Sequence, residues 1–228
     1  GSDDGVIQVT QDAGGSWAII SEELPQDLWV SKVLASSHKK GRVYATLNGY
    51  RYDDFKPYVY VSDDFGASWK DISSNLPLSP VNVIIEDPVK ENILYLGTDD
   101  ASYISFDQGS SWELLDGSMP NVAVHDMVVQ TEANDLVIGT HGRSIYITNL
   151  DEIQKFDAGK ASDLQLFELD AVDYSTNWGR SWSAWRAANA PEIKIAFYAP
   201  QSGKATLEIM SAAKKTLKSC EVAVEKGF

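Results

Sequence analysis

The chain of 228 residues has a single cysteine, Cys220. One thiol forms no disulfide within a chain, and no Cys/His cluster with zinc spacing accompanies it. Cys220 is expected to serve as a small, buried apolar side chain in a strand. No apolar run approaches the roughly 20 residues that cross a bilayer as a helix. The opening stretch GSDDGVIQVT lacks a basic segment followed by an apolar core, so it does not read as a secretory leader. Basic residues are scarce. Lys and Arg number 19 against 33 Asp and Glu, a formal net charge of −14. Such a surface repels phosphate backbones, which argues against a nucleic-acid partner. It suits neutral sugars, cations or basic peptides, and it also serves solubility. No amphipathic helix can be drawn through 1–149, and no motif implies a cofactor.

What the chain does have is an internal repeat. The octets TQDAGGSW (10–17), SDDFGASW (62–69) and SFDQGSSW (105–112) all fit Ser/Thr-x-Asp-x-Gly-x-Ser-Trp. They recur at intervals of roughly 40–50 residues, the length of one four-stranded propeller blade. The flanks repeat as well. Apolar runs stand at WVSKVLAS (29–36), VNVIIEDP (81–88) and VHDMVVQT (124–131), followed by RVYAT, ILYLGT and DLVIGT. Short β-branched and aromatic runs punctuated by Gly, Pro, Asn and Asp read as strands. Each unit reads strand A, strand B, strand C, octet turn, strand D.

These octets resemble the Asp-box, or BNR, repeat. The whole of 1–149 resembles the propellers of bacterial proteins labelled BNR-repeat glycosyl hydrolases, and more distantly sortilin-type propellers and xyloglucanases. VIGTHGRSIYI (137–147) is similar to the last blade of that bacterial group. The resemblance implies an all-β fold and an exported protein, secreted, periplasmic or at the cell surface. It implies glycan binding or processing, with a non-enzymatic, sortilin-like peptide- or protein-binding propeller or scaffold as the alternative. Sialidases share the repeat, but their site resembles an arginine triad with an Arg-Ile-Pro segment. Here the arginines are Arg42, Arg51, Arg143, Arg180 and Arg186, and no Arg-Ile-Pro occurs.

The octet chemistry is that of a turn. Asp12, Asp64 and Asp107 are expected to accept backbone N–H groups a residue or two onward. Gly14, Gly66 and Gly109 supply positive φ. Trp17, Trp69 and Trp112 begin strand D and pack between blades. A catalytic group is rarely needed once per repeat, whereas a turn is. One carboxylate per octet is also thin for calcium, which takes 6–8 oxygens, so no metal is assigned.

If strand A is innermost, the octets mark one face of the propeller and the B–C loops the other. On that other face the segment from Thr46 to Ser62 is more than twice as long as its counterpart from Thr98 to Ser105. It reads LNGYRYDDFKPY (47–58) and carries Tyr50, Arg51, Tyr52, Asp53 and Asp54. Aromatics interleaved with hydrogen-bonding groups suit sugar recognition, and loops concentrate function. An extended hairpin packed on itself gives the same sequence. Ser31, Asn82 and His125 fall at one equivalent position of strand A, polar within apolar runs. His125 with Asp126, and His141 with Arg143, could surround a channel mouth and do acid–base work or bind anions. They could equally hold a turn and line a solvated channel. Asp100, paired with Asp54 or Asp126, is the other catalytic candidate. Inverting glycosidases need two carboxyl groups ~6.5–9.5 Å apart. Turn formation is the competing role.

The first repeat has only strands C and D. Full units follow at about 29–72 and 81–115, and a last one starts near 122. Roughly three and a half blades do not close a ring of 4–8 or more. The chain is therefore expected to be the C-terminal piece of a longer propeller. Missing N-terminal blades, or a second copy, would complete it. Residues 150–190 read as a linker with a short helix, a strand over 164–174, and a loop bearing Trp178, Trp182 and Trp185. Those tryptophans could form a binding platform or pack the linker. Residues 191–228 resemble the start of a small Ig-like β-sandwich, which normally needs about seven strands.

Overall fold

The computed structural model describes residues 1–115, 119–169, 171–181, 183, 185, 187–191, 193–224 and 227. The chain divides into two compact units, Gly1–Gln154 and Lys155–Phe228. Among the described residues no helix is long and apolar enough to cross a membrane.

Among the described residues the first unit holds four antiparallel sheets in chain order. β1 (Gln8–Val9) pairs with β2 (Ala18–Ile19). β3 (Trp29–Ala35), β4 (Val43–Gly49), β5 (Asp54–Ser62) and β6 (Lys70–Asp71) form the second sheet. β7 (Val81–Glu86), β8 (Leu94–Thr98), β9 (Ser102–Ser105) and β10 (Glu113–Leu114) form the third. β11 (Val124–Gln130), β12 (Asp135–Thr140) and β13 (Ile145–Asn149) form the fourth, and the short helix α1 (Asp151–Lys155) follows. Every connection within a sheet joins sequence neighbours, as a meander of short strands requires.

Each gap between sheets is filled by apolar side chains. Ile7, Leu24 and Leu28 pack on Val30, Ala45 and Leu47. Tyr44, Val59 and Ile72 meet Val81, Leu94 and Trp112. Val83, Tyr95 and Ile104 meet Val124, Leu136 and Ile138. Buried on both faces, β7 and β8 are nearly continuous apolar runs rather than alternating ones. One ion pair reports how the first strands converge. Lys32 of β3 reaches Asp126 of β11 at 3.1 Å, joining the second sheet to the fourth past the third. The first strands of the second and fourth sheets therefore come within side-chain reach of each other past the third.

The three octets have one hydrogen-bond pattern. The Ser/Thr hydroxyl donates to the aspartate at 2.8, 2.7 and 2.8 Å for Thr10, Ser62 and Ser105. It also accepts the glycine N–H at 2.8 Å in each octet. The aspartate then accepts both the N–H and the hydroxyl of the serine four residues on: Ser16, Ser68 and Ser111. The reach is longer than an ordinary Asx turn, because each octet carries two consecutive residues at positive φ. They are Ala13 and Gly14, Phe65 and Gly66, Gln108 and Gly109. The chain thereby curls around its own carboxylate.

These bonds hold the octet carboxylates below the usual range. Ser16 donors lower Asp12 to about 2, and Ser68 with Ser62 lowers Asp64 to about 2. At Asp107 burial pushes upward, and the Ser111 and Ser105 bonds outweigh it. A carboxylate depressed on folding contributes stability that is present above its unfolded value, about 3.9, and is lost as pH falls through the folded one. Acid titration of stability should therefore show a decline opening below about pH 4 and ending near pH 2. Asp64→Asn should shrink that decline, and an unchanged acid profile would contradict this assignment.

The octets also fasten one sheet to the next. Trp69 Nε1 donates to Ile20 O at 2.6 Å, and Trp112 Nε1 donates to Ile72 O at 2.7 Å. A Cβ on Gly66 would lie 2.4 Å from Ile20 Cδ1, so glycine is required there by contact as well as by its φ of +89°. Trp17 departs from the expectation of packing between sheets, since it is 61% exposed.

In the second unit, β14 (Gln165–Leu166) pairs with β15 (Phe197–Tyr198). β16 (Gly203–Met210) pairs with β17 (Thr216–Val224), and Ala199 bridges Gly227. Among the described residues of the strand expected over 164–174, Gln165–Leu166 are paired, where a partner lies alongside. Cys220 lies on β17, half-buried rather than buried. Trp178 packs edge-on to Tyr174 with ring centres 5.4 Å apart, and Trp185 is 95% exposed. Trp182 and Arg186 lie outside the described residues.

Candidate functional site

The first strands of the second, third and fourth sheets, β3, β7 and β11, each carry a β-bulge at the same place. The register shifts between Val30 and Lys32, between Val81 and Val83, and between Val124 and Asp126. The extra residues are Ser31, Asn82 and His125, the three polar positions that align in the sequence. A bulge leaves one residue off the ladder and re-aims its side chain. That is how a polar residue is tolerated in strands otherwise buried on both faces.

Each bulge residue turns toward a neighbour. Ser31 Oγ lies 2.8 Å from Thr46 Oγ1 and donates to Val81 O of the next sheet at 2.8 Å. Asn82 accepts from Asn48 Nδ2 of the preceding sheet at 2.9 Å and donates to Asp99 at 2.8 Å. Asn48 Oδ1 in turn accepts the Tyr50 N–H at 2.9 Å, which ties the hairpin to the rim. His125 lies against His141 with ring centres 5.1 Å apart and planes at 35°. The outcome is a polar rim running across three sheets. It lies at the end of β5 opposite the octet, because the β4–β5 hairpin and the octet leave β5 from its two ends.

The hairpin is well built and only partly available. A 3-10 turn over Tyr50–Tyr52 ends at Asp53, which sits at φ 57°. Tyr50 and Phe55 meet edge to face at 6.2 Å. The Arg51 guanidinium lies over the Trp29 ring at 5.5 Å. Asp54 accepts Tyr58 OH at 2.6 Å and the Lys56 N–H at 3.1 Å, and these bonds hold its carboxyl below the usual range. Burial, and then that same carboxylate, push Tyr58 up to about 12. Asp54 is therefore a brace for the hairpin. Tyr50, Tyr52 and Phe55 remain 59%, 63% and 45% exposed.

The structure brings together some of the expected site residues. His125 and His141 meet, and Asn82 donates to Asp99. Asp126 pairs instead with Lys32, a partner that sequence reasoning had not assigned. Asp100 is exposed in the β8–β9 turn, where its carbonyl accepts the Val122 N–H at 2.9 Å. Arg143 is exposed in the β12–β13 turn. Asn48 and Thr46 were missed as well, although a polar Thr and Asn inside the strand VYATLNG were a readable signal. Two open grooves of about 360 and 590 Å³ lie away from this rim, beside the octets, with Phe65 in both and Ile19 and Gly66 in the smaller.

No protein-family model matches the chain, and no curated protein does. Solved structures do match. A GH74 xyloglucanase from Xanthomonas campestris is 14% identical, over 64% of this chain and 25% of its own, with a TM-score of 0.50. A GH74 enzyme from Niastella koreensis is 13% identical, over 62% and 24%, with a TM-score of 0.50. An ancestral GH74 enzyme is 12% identical, over 96% and 31%, with a TM-score of 0.50. The chain spans a quarter to a third of the length of these proteins. At such identities the likeness shows fold alone: all-β, antiparallel and of the propeller kind.

Proposed function

We propose that this chain is part of an Asp-box propeller and that the face opposite its octets binds a glycan. One observation carries the reading. The rim of bulge side chains Ser31, Asn82 and His125 adjoins a hairpin that exposes Tyr50, Tyr52 and Phe55. Rings that can stack on a pyranose face, beside amide and hydroxyl groups that bond its edges, are the parts a sugar site needs. The likeness to a xyloglucanase fold supports the same ligand class. In this reading 1–149 is the C-terminal part of an exported, glycosyl-hydrolase-like propeller. Residues 191–228 begin an Ig-like module after the 150–190 linker. Missing blades or a second copy complete the ring.

Binding, rather than turnover, is the activity assigned to this chain. Glycoside hydrolysis by inversion needs two carboxyl groups ~6.5–9.5 Å apart, one of them open to accept a water's proton. Of the carboxyls expected to form that pair, Asp54 is held by Tyr58 and Asp126 by Lys32, which leaves the exposed Asp100 with neither expected partner free. The test is a glycan array that includes xyloglucan oligosaccharides, with a reducing-sugar release assay beside it. Glycan binding without release is expected. Tyr52→Ala should weaken it about tenfold, or ~1.4 kcal/mol. Asp64→Asn, on the other face, should leave affinity unchanged. Peptide capture with no glycan signal would replace this reading with the sortilin-like one. Sugar release abolished by Asp100→Ala or Asp126→Ala would make the chain an enzyme.

A further inference from the structure

The molecule has three histidines. His38 is engaged, its Nε2 lying 2.7 Å from Asp87 O. The other two, His125 and His141, face each other across β11 and the end of β12. His125 is the extra residue of the β11–β12 bulge, between Val124, paired with Thr140, and Asp126, paired with Gly139. His141 follows β12 directly, and its N–H donates to Ala123 O at 2.8 Å. Both rings are exposed; His125 stands between two paired residues of β11, and His141 is tied back to Ala123 by its N–H. The two rings are thereby brought within reach of one ion.

We propose that His125 and His141 together bind a late first-row divalent cation such as Zn²⁺. The spacing fits. Two imidazoles on one tetrahedral ion, each with a Zn–N bond of ~2.0–2.1 Å, have ring centres about 5 Å apart. The observed separation is 5.1 Å. Imidazole nitrogen suits zinc and copper better than it suits calcium or magnesium, which prefer oxygen. The net charge of −14 raises the local concentration of cations. Among the described residues no group of three or more His, Cys, Asp or Glu side chains is placed to hold an ion. Water therefore completes the coordination, and the site is an open, exchangeable one rather than a structural zinc site. Asp126 stays with Lys32 at 3.1 Å. The bound imidazoles must be neutral, so binding releases protons and weakens in acid. This inference does not depend on the glycan reading.

The experiment uses the whole chain without a histidine tag, titrated with Zn²⁺ by calorimetry and followed by imidazole NMR. One ion per chain is expected, with the His125 and His141 resonances shifting together and His38 unmoved. His125→Ala or His141→Ala should each weaken binding at least tenfold, roughly the loss seen for lesser changes around metal sites. Cys220→Ser should bind as the parent does, which excludes the thiol as the receptor. Imidazole resonances that do not move with Zn²⁺ would overturn the proposal. So would a double His125→Ala/His141→Ala variant that binds as well as the parent. The wild-type NMR result decides the matter even where a variant melts below the parent.

Discussion

Replacing Trp112 with alanine is expected to destabilise the first unit by about 3–5 kcal/mol, whereas Trp17→Ala should cost less than about 1 kcal/mol. The two residues hold the same octet position, so local sequence does not separate them. Their surroundings do. Trp112 is 3% exposed, packs with Tyr44, Val81 and Leu94, and donates its indole N–H to Ile72 O. Trp17 is 61% exposed. Truncating Trp112 opens a cavity between two sheets and leaves a carbonyl without its donor. Trp112→Phe isolates the second effect, since most of the apolar volume stays while the Ile72 carbonyl loses its partner. It should cost about 1–3 kcal/mol. Thermal or urea unfolding followed by circular dichroism measures all three. Equal losses at Trp112 and Trp17 would show that the octet tryptophan acts within its own turn and not between sheets.

The parts of the fold that could be read from the sequence are those whose chemistry is local. An octet closes within eight residues, its donors and acceptors all lie inside it, and Asp64 meets Ser62 and Ser68 without help from elsewhere. Strand order was readable for the same reason, because every pairing within the four sheets joins neighbours in the chain. The equivalence of Ser31, Asn82 and His125 came from aligning apolar runs. That each sits in a bulge did not, because a bulge is a mismatch between a strand and its partner, and neither strand records it alone. The Lys32–Asp126 pair spans 94 residues and follows from the convergence of inner strands, which no local pattern encodes. In LQLFELDAVDY the alternation suggested a strand over the whole of 164–174. Among the described residues the ladder exists only where Phe197–Tyr198 lies alongside, since alternation gives a strand its two faces and cannot supply its partner.

The candidate site divides the same way. Tyr50, Tyr52 and Phe55 were identified by composition and stand exposed as a ligand would require. Asp54 was chosen for the same composition, yet Tyr58 four residues away takes its carboxylate at 2.6 Å. Acidic residues beside tyrosines in a hairpin read alike whether they face a sugar or brace the turn. Only the side-chain direction tells them apart, and direction here depends on the register of β4 against β5, which shifts between Leu47 and Gly49.

Asp87 gives the second large effect, at a residue outside the proposed site. It closes the apolar run VNVIIED and is fully buried. Its carboxylate accepts Tyr95 OH at 2.8 Å, Gln154 Nε2 at 2.9 Å, and the N–H groups of Val89 and Lys90 at 2.8 Å. Burial, and then this carboxylate, push the Tyr95 hydroxyl far above its ordinary value, so it remains a donor. Gln154 belongs to α1, so the same carboxylate ties that helix to the end of β7. Asp87→Ala removes one side chain and strands two buried donors, Tyr95 OH and Gln154 Nε2, together with two part-buried N–H groups. Each stranded group costs about 1–3 kcal/mol, and removing one partner of a buried charged cluster typically costs 3–5 kcal/mol in all. Asp87→Asn keeps the shape and one carbonyl oxygen but turns an amide donor toward donors, and should fall between alanine and the parent. Gln154→Ala should cost less than Asp87→Ala, because Tyr95 and the two backbone N–H groups keep their acceptor. Urea unfolding of the three variants measures the order. A loss below about 1 kcal/mol for Asp87→Ala would mean that water replaces the carboxylate, and that the tie between α1 and β7 contributes little to the unit's stability.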